Sequence, residues 1–205
     1  DDANLSGKLG HPKKFEIPVK YIGALSRLEQ KETASSYDIM VLLSGPEPQR
    51  TELEEILMHE LKHYKGQVLF VRGVVEAEQK VTRKEQIKIV NFMETEDLQN
   101  AICSSDLIIC RSGYTTIMDL FKLGKKAFFI PTPGQTEQEY LAKRLHTMGI
   151  VPFKDQEKFS LKDLSKAKVF TGFEPLLNQR RFGEGSFGEL FGLFKGERKL
   201  RSHSK

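Results

Sequence analysis

Short apolar runs alternate with amphipathic segments through the middle of the chain. Turn residues such as glycine and proline bound the runs, a pattern typical of strands buried in a parallel sheet. The predicted strands are Tyr37–Leu43, Gln67–Val75, Ile87–Phe92, Asp106–Cys110, Ala127–Ile130 and Val151–Phe153. A further strand, Val19–Ile22, is plausible near the start.

Helical patterns separate most of these strands. Thr51 and Glu54 have the spacing of a capping box at the start of the first helix. The later helices are predicted at Thr95–Ile102, Thr115–Leu123, Glu137–Met148 and a short segment capped by Ser160. Strands separated by helices indicate an α/β fold with a Rossmann-like, doubly wound parallel sheet of about six strands.

The predicted organisation has three parts. Residues 1–30 form an interdomain segment or the end of a missing N-terminal half, 31–175 the α/β domain, and 176–205 a C-terminal helix and tail. Because the first residue is Asp1, we expect further residues upstream. The basic, aromatic stretch Arg180–Arg201 is interpreted either as a membrane-surface element or as a tail that packs on the missing half.

Composition narrows the class of protein. The chain is 39% hydrophobic and 29% charged, with a net charge of +4, and no apolar run reaches the roughly 18 residues of a membrane span. With no secretory leader, we expect a cytoplasmic protein, with contact at the inner face of the membrane as an option. Cys103 and Cys110 are then expected as buried thiols. The basic residues are dispersed, which argues against nucleic-acid binding.

The candidate chemistry lies where a predicted strand turns into a helix. Gly113 follows the strand that ends at Cys110, and Thr115 and Thr116 open the helix. Free amides at a helix start attract phosphate, and a glycine lets a ligand approach the backbone. Asp119 shares the face of the two threonines and could accept the hydroxyls of a ribose. The alternative is that these are only helix-start residues and a solvated face.

The same stretch resembles a known pattern. Arg111–Asp119, Gly124–Pro131 and Gln138–Tyr140 resemble the donor-site region of family 28 glycosyltransferases, which include the MurG-type N-acetylglucosaminyltransferases. The resemblance covers about residues 86–150 and is weaker over 17–60. It implies the C-terminal half of a GT-B enzyme, which consists of two Rossmann-like halves with a cleft between them. On this resemblance, residues 31–175 would be the nucleotide-sugar-binding domain.

The resemblance also implies roles for single residues. Thr116 would contact the donor diphosphate, and Asp119 matches a ribose-binding glutamate one methylene longer. Gln138 and Glu139 match a Gln-Gln pair that reads sugar hydroxyls, and the main chain of Met93 would read the uracil edge. The full set of predicted donor-binding residues is Arg27, Ser44, Gly45, Met93, Ser112, Gly113, Tyr114, Thr115, Thr116, Asp119, Gln138 and Glu139.

Two of these predictions concern the charge and the loops around the diphosphate. Arg27 resembles an arginine that faces the diphosphate, although a surface ion pair is an equal alternative. Ser44-Gly45-Pro46 occupies the place of a glycine-rich loop but has fewer glycines. An Asp-x-Asp motif is absent from the sequence, so we expect a metal-independent transfer from a UDP-sugar without a cofactor.

The implied enzyme would be incomplete in this chain. The acceptor groove and the general base of the family lie mainly in the N-terminal half, so no catalytic residue is predicted here, and the isolated half is expected to be inactive. The expected partners are the UDP-sugar and the missing half or a separate acceptor-binding subunit. A non-catalytic nucleotide-sugar-binding or interaction module on the same fold is the alternative.

One motif would indicate a different function, that of a zinc hydrolase. The segment His59–His63 matches the H-E-x-x-H pattern of zinc hydrolases. On a helix, however, His59 and His63 lie at the edge of the apolar stripe and Glu60 points further into it, the reverse of what a zinc helix needs. We therefore disfavour a metal site.

Overall fold

The computed structural model describes residues 5–9 and 24–177. Its sheet has the order β3-β4-β2-β1-β5-β6, and every pairing is parallel except that of β3 with β4. The strands are β1 (Tyr37–Leu42), β2 (Val68–Val71), β3 (Val81–Lys84), β4 (Ile87–Val90), β5 (Ser105–Cys110) and β6 (Ala127–Phe129). The helices are α1 (Gln49–Leu61), α2 (Thr95–Cys103), α3 (Tyr114–Lys122), α4 (Thr136–Thr147) and α5 (Glu174–Leu177), with 3₁₀ segments at Gly7–Leu9, Gln156–Lys158 and Leu161–Lys168.

Alternation along the central strand divides the core into two layers. Ile39 and Val41 point to the face covered by α1, whereas Met40 points to the face covered by α2, α3 and α4. All three side chains are at most 2% exposed. Burial on both faces explains why this strand reads as a continuous apolar run, and it confirms the predicted doubly wound α/β class.

The sheet edges differ from the prediction. Strand β3 was not predicted, because all four of its residues are exposed and no apolar pattern marks it. The predicted strand Val151–Phe153 is wrong, since only Phe153 forms an isolated bridge, with Phe129. The second predicted strand ends at Val71 rather than Val75, and Gly73 follows with φ of +70° in a loop.

The helix starts also differ in detail. The capping box predicted at Thr51 and Glu54 is wrong, because α1 begins earlier, with Pro48 as its N-cap. The Glu54 carboxylate instead accepts hydrogen bonds from Arg50 (2.8 Å) and Arg72 (2.6 Å). The cap predicted at Ser160 is confirmed, since Ser160 and Asp163 form a capping box at the start of a 3₁₀ segment.

Several predictions lie at the limits of the described residues. Val19–Ile22 and Arg180–Arg201 are outside them, and the domain boundaries at 31 and 175 stay predictions. Cys110 is buried, as expected, whereas Cys103 is only half-buried. Within residues 5–9 and 24–177, no helix has both the length and the apolar character needed to cross a membrane.

Candidate functional site at the carboxyl edge of the sheet

Five parallel strands bring their carboxyl ends to one edge of the sheet. The loops that follow β1, β4 and β5 start at this edge, and they contain Ser44, Met93 and Gly113. Ligands of open α/β sheets bind at such an edge, where the chain leaves the strands. The topology therefore brings three of the predicted binding loops to the same side of the domain.

The start of α3 is open to a ligand. Gly113 is its N-cap in an extended conformation (φ −70°, ψ 146°), and no side chain caps the helix. The first helical bond runs from the Ile117 amide to the Gly113 carbonyl (3.0 Å), so the amides of residues 114–116 have no acceptor in the helix. A Cβ atom built on Gly113 would meet nothing closer than Thr116 Oγ1 at 4.0 Å. An anion could approach this backbone directly.

A cleft beside this helix collects three of the predicted residues. Arg27, Thr115 and Asp119 line it together with Leu25 and Ser26, and its volume is about 560 Å³. Arg27 and Thr115 are exposed, and Asp119 is half-buried. The cleft thus combines a cation, a hydroxyl and a carboxylate next to unbonded amides.

Ser26 fixes this arrangement, and the sequence analysis missed it. Its hydroxyl donates to Asp119 Oδ1 (2.6 Å) and accepts from the Leu28 amide (3.0 Å). Leu28 is fully buried and anchors the segment, and the Glu29 amide donates to Gln99 Oε1 (2.9 Å). Ser26 and Asp119 are 93 residues apart in the chain, so only the position of Ser26 next to Arg27 could have suggested it.

Three other predicted residues are engaged inside the protein. The buried Ser112 hydroxyl donates to the Gln138 carbonyl (2.7 Å). Gln138 Oε1 accepts from the Thr132 amide (2.9 Å) and its Nε2 donates to Gln135 Oε1 (2.6 Å). Glu139 Oε1 accepts from the Gly134 amide (3.1 Å). These bonds hold the loop after β6, so a role in reading a sugar stays a prediction.

The loop after β1 is exposed and rich in proline. Ser44 and Gly45 are both exposed, and Gly45 has φ of +107° with open space around it. Glu47 accepts hydrogen bonds from the Arg50 guanidinium and from the Thr51 amide (3.2 Å). The loop faces the site edge, but its own charges are paired within it.

Met93 lies in a different groove. This groove, of about 640 Å³, is bounded by α2, by the strands β2 and β4 and by the segment before β1, and Met93, Lys88, Asp97 and Asn100 contribute to its lining. The preceding Phe92 carbonyl accepts from Gln79 Nε2 (2.9 Å). Met93 and Asp119 therefore share an edge of the sheet but not one cavity.

Tyr114, at the first position of α3, is 41% exposed.

Comparison with known proteins gives the family. The profile of the glycosyltransferase family 28 C-terminal domain matches residues 49–170, which is more than half of the chain. The chain belongs to glycosyltransferase family 28. The predicted resemblance is thereby confirmed, and the match covers the edge loops after β4, β5 and β6.

Individual relatives agree with this family. A UDP-N-acetylglucosamine--N-acetylmuramyl-(pentapeptide) pyrophosphoryl-undecaprenol N-acetylglucosamine transferase from Haemophilus ducreyi is 23% identical over 180 residues, covering 84% of this chain and 48% of the relative. The chain thus spans about half the length of that relative.

Solved structures show the same fold. MurG from Acinetobacter baumannii superposes with a TM-score of 0.57 at 20% identity, over 90% of this chain and 58% of that one. A glycosyltransferase of kitacinnamycin superposes with 0.60 at 16% identity, over 96% and 54%. These likenesses confirm the GT-B fold, and the matched family domain identifies its C-terminal half.

This family 28 domain has a second buried feature at the same edge. Arg111, the first residue after β5, is 2% exposed. Its Nη1 donates to the carbonyls of Ile130 (3.0 Å) and Pro131 (3.1 Å), and its Nη2 donates to the Gln49 carbonyl (2.8 Å) and Gln156 Oε1 (2.7 Å). It connects α1, the end of β6 and the 3₁₀ segment Gln156–Lys158. The sequence analysis quoted it only as part of a motif.

The segment His59–His63, which matches the H-E-x-x-H pattern, has a structural role in this domain. His59 and His63 are exposed, whereas Glu60 is half-buried and its Oε2 accepts from the Leu161 amide (2.8 Å). Glu60 thereby ties α1 to the segment Leu161–Lys168. Among the described residues, no group of three or more His, Cys, Asp or Glu side chains is close enough together to hold a metal ion.

Proposed function

We propose that this domain binds the nucleotide-sugar donor, a UDP-sugar, of a family 28 glycosyltransferase. The observation that supports it most is the open start of α3, where unbonded amides adjoin a cleft lined by Arg27, Thr115 and Asp119. The diphosphate would lie against the amides of residues 114–116 and the Thr116 hydroxyl, where the helix dipole favours negative charge.

The position of the diphosphate determines where the ribose and the base of the nucleotide would lie. Asp119 lies about one helical turn beyond Thr115 and would accept the ribose hydroxyls, in the orientation that its bond from Ser26 gives it. The main-chain amide and carbonyl of Met93 form no hydrogen bond within residues 24–177, so they are free to bind a uracil edge. We propose uracil as the base because the relative from Haemophilus ducreyi is a UDP-N-acetylglucosamine transferase.

The chemistry would rest on stabilising the leaving UDP. The bond between the sugar and the diphosphate breaks with negative charge developing on UDP, and the helix start with Arg27 would neutralise that charge without a metal. The acceptor groove and the general base would belong to the rest of the enzyme, or to a separate subunit, because this chain spans about half of its relative's length. We place the activity in the cytoplasm, at the inner face of the membrane.

One observation favours a non-catalytic nucleotide-binding module as the second candidate. Gln138 and Glu139, expected to read the sugar, are bonded to the Thr132 and Gly134 amides. A domain of this kind would bind UDP without distinguishing UDP-sugars from one another.

Calorimetric titration with UDP tests the proposal. We expect Asp119→Ala and Arg27→Ala each to weaken UDP binding by about tenfold, the loss of one charge-assisted contact. Gly113→Ala should weaken it similarly while keeping the fold, since φ is −70° and the atom nearest to an added Cβ is Thr116 Oγ1, at 4.0 Å. Arg83→Ala, on the exposed strand β3, is the charge-matched control.

The outcomes separate the candidates. A folded wild-type protein that binds no UDP would refute the proposal. Equal affinities for UDP, ADP and TDP would refute only the part of the proposal that concerns recognition of the uracil base. A UDP-N-acetylglucosamine affinity equal to that of other UDP-sugars would favour the non-catalytic module.

A further inference from the structure

Arg111 is a buried cation that no carboxylate among residues 24–177 contacts. All four of its hydrogen bonds reach neutral oxygens, three of them main-chain carbonyls. Its Nε atom is buried without a hydrogen-bond partner in the described part of the chain. Burial lowers the pKa of Arg111 to about 10, against the opposite effect of the Glu52 charge, so the group is still cationic at neutral pH. Buried charges are costly unless they are paired.

A second arginine at the same edge shows the usual arrangement. Arg50 is 7% exposed, and its guanidinium forms ion pairs with the carboxylates of Glu47 and Glu54 (2.8 Å for the latter). Arg111 has no such pair within residues 24–177. The nearest carboxylate in its network is that of Glu52, which is exposed and accepts from Gln156 Nε2 at 3.4 Å. Within residues 24–177, the positive charge of Arg111 thus has no carboxylate in direct contact, and the exposed Glu52 acts on it only from a distance.

Arg111 lies close to the start of α3 in the chain, where the diphosphate would bind. It precedes Gly113 by two residues, so their Cα atoms are at most about 7 Å apart. Its guanidinium bonds the first residue of α1 and the Pro131 carbonyl in the loop after β6, both at the carboxyl edge. Solvent and salt screen a buried charge weakly, so an anion bound at the start of α3 would feel it.

We propose that Arg111 is an electrostatic positioning residue, whose missing counter-charge is supplied by the diphosphate of the bound nucleotide. This rests on the proposed function, and it adds a source of selectivity: the domain would prefer nucleoside diphosphates over uncharged nucleosides because of a charge that does not touch the ligand. The bonds of Arg111 to α1, to the loop after β6 and to the 3₁₀ segment Gln156–Lys158 would hold that charge in place.

Gln156→Glu is the most direct test. Arg111→Met would remove four hydrogen bonds along with the charge, whereas Gln156→Glu places a carboxylate oxygen against Nη2, at the 2.7 Å contact that Gln156 Oε1 makes now. This gives Arg111 an internal counter-charge. With the charge about 10 Å from the diphosphate and an effective dielectric constant of about 20, UDP should bind about tenfold more weakly. Uridine, which has no phosphate, should bind as it does to the wild type.

The control adds the same charge elsewhere. Gln67→Glu lies immediately before β2, at the opposite edge of the sheet, where its side chain is exposed, and it should leave both affinities unchanged. If repulsion from Glu52 unfolds the Gln156→Glu protein, the double variant with Glu52→Gln removes that repulsion and restores the wild-type net charge.

UDP affinity is measured by calorimetry and uridine affinity by NMR titration, with thermal unfolding on each variant. A UDP-to-uridine affinity ratio that falls in Gln156→Glu, at unchanged uridine affinity, supports the inference. A ratio within twofold of the wild type overturns it and leaves the proposed function standing, and an equal loss for both ligands shows a structural role only. A wild-type protein that binds neither ligand overturns both.

Discussion

The side chain of Gln138 has two competing roles, and one substitution separates them. Its family match makes it a reader of sugar hydroxyls. In the structure, however, its Oε1 accepts from the amide of Thr132 (2.9 Å), a residue only 3% exposed. Gln138→Met keeps the length of the side chain and removes the acceptor. The Thr132 amide would then be buried without a partner.

The size of the effect follows from that amide. A buried donor left unsatisfied costs about 1–3 kcal/mol. The bond from Gln138 Nε2 to Gln135 Oε1 adds little, because Gln135 is half-exposed and can bind water instead. For a domain of this size, about 2 kcal/mol corresponds to a fall in Tm of roughly 4–8 °C. We expect this fall in Gln138→Met without any ligand.

Gln138→Glu is the matched control. It retains an oxygen for the Thr132 amide, and Gln135 can turn its own amide to donate to the second oxygen, so we expect a Tm close to that of the wild type. Both variants are unfolded by heat and followed by circular dichroism, and then titrated with UDP-N-acetylglucosamine and UDP. If Gln138→Met keeps the wild-type Tm and loses only sugar-dependent affinity, the structural reasoning is refuted.

Two further predictions concern the described domain without ligand. Burial raises the pKa of the Cys110 thiol, so a thiol reagent should label the half-buried Cys103 first and Cys110 only in denaturant; equal labelling rates, measured by mass spectrometry, would contradict this. Burial raises the pKa of Asp163, but bonds from Lys166 and Ser160 outweigh it and lower the pKa overall. The stability from Asp163 should therefore be complete above about pH 4 and be lost progressively at lower pH, so the difference between wild type and Asp163→Asn in urea unfolding should be largest at pH 7 and shrink as the pH falls below about 4.

The strands that the sequence predicted well are those buried on both faces. Tyr37–Leu43 and Asp106–Cys110 carry continuous apolar runs because each packs helices on both sides, and they correspond to β1 and β5. Strand β3 packs against β4 with exposed side chains only, so hydrophobicity cannot mark it. Val151 and Pro152 are buried without strand pairing, which shows that an apolar run alone predicts burial rather than a strand.

The candidate site was predictable where its chemistry is local. A glycine followed by hydroxyl residues after a buried strand identifies an open helix start, and the structure has one at Gly113. The contacts of Ser112 and Ser26 could not be predicted, because their partners Gln138 and Asp119 are 26 and 93 residues away in the chain. Whether such a hydroxyl faces a ligand or the interior is decided by tertiary packing, which the sequence pattern does not contain.

The loop after β1 explains why side-chain cations would matter at this site. Pro46 and Pro48 have no amide hydrogen, so the segment from Ser44 to Pro48 offers an anion fewer donors than a glycine-rich loop. Its Glu47 carboxylate adds negative charge, although Arg50 pairs with it. The favourable potential at the site must then come from the amides at the start of α3, from Arg27 in the cleft and from the unpaired Arg111 behind it. If that division is correct, the affinity for UDP should depend on salt through the exposed Arg27 and remain partly salt-resistant through the buried Arg111.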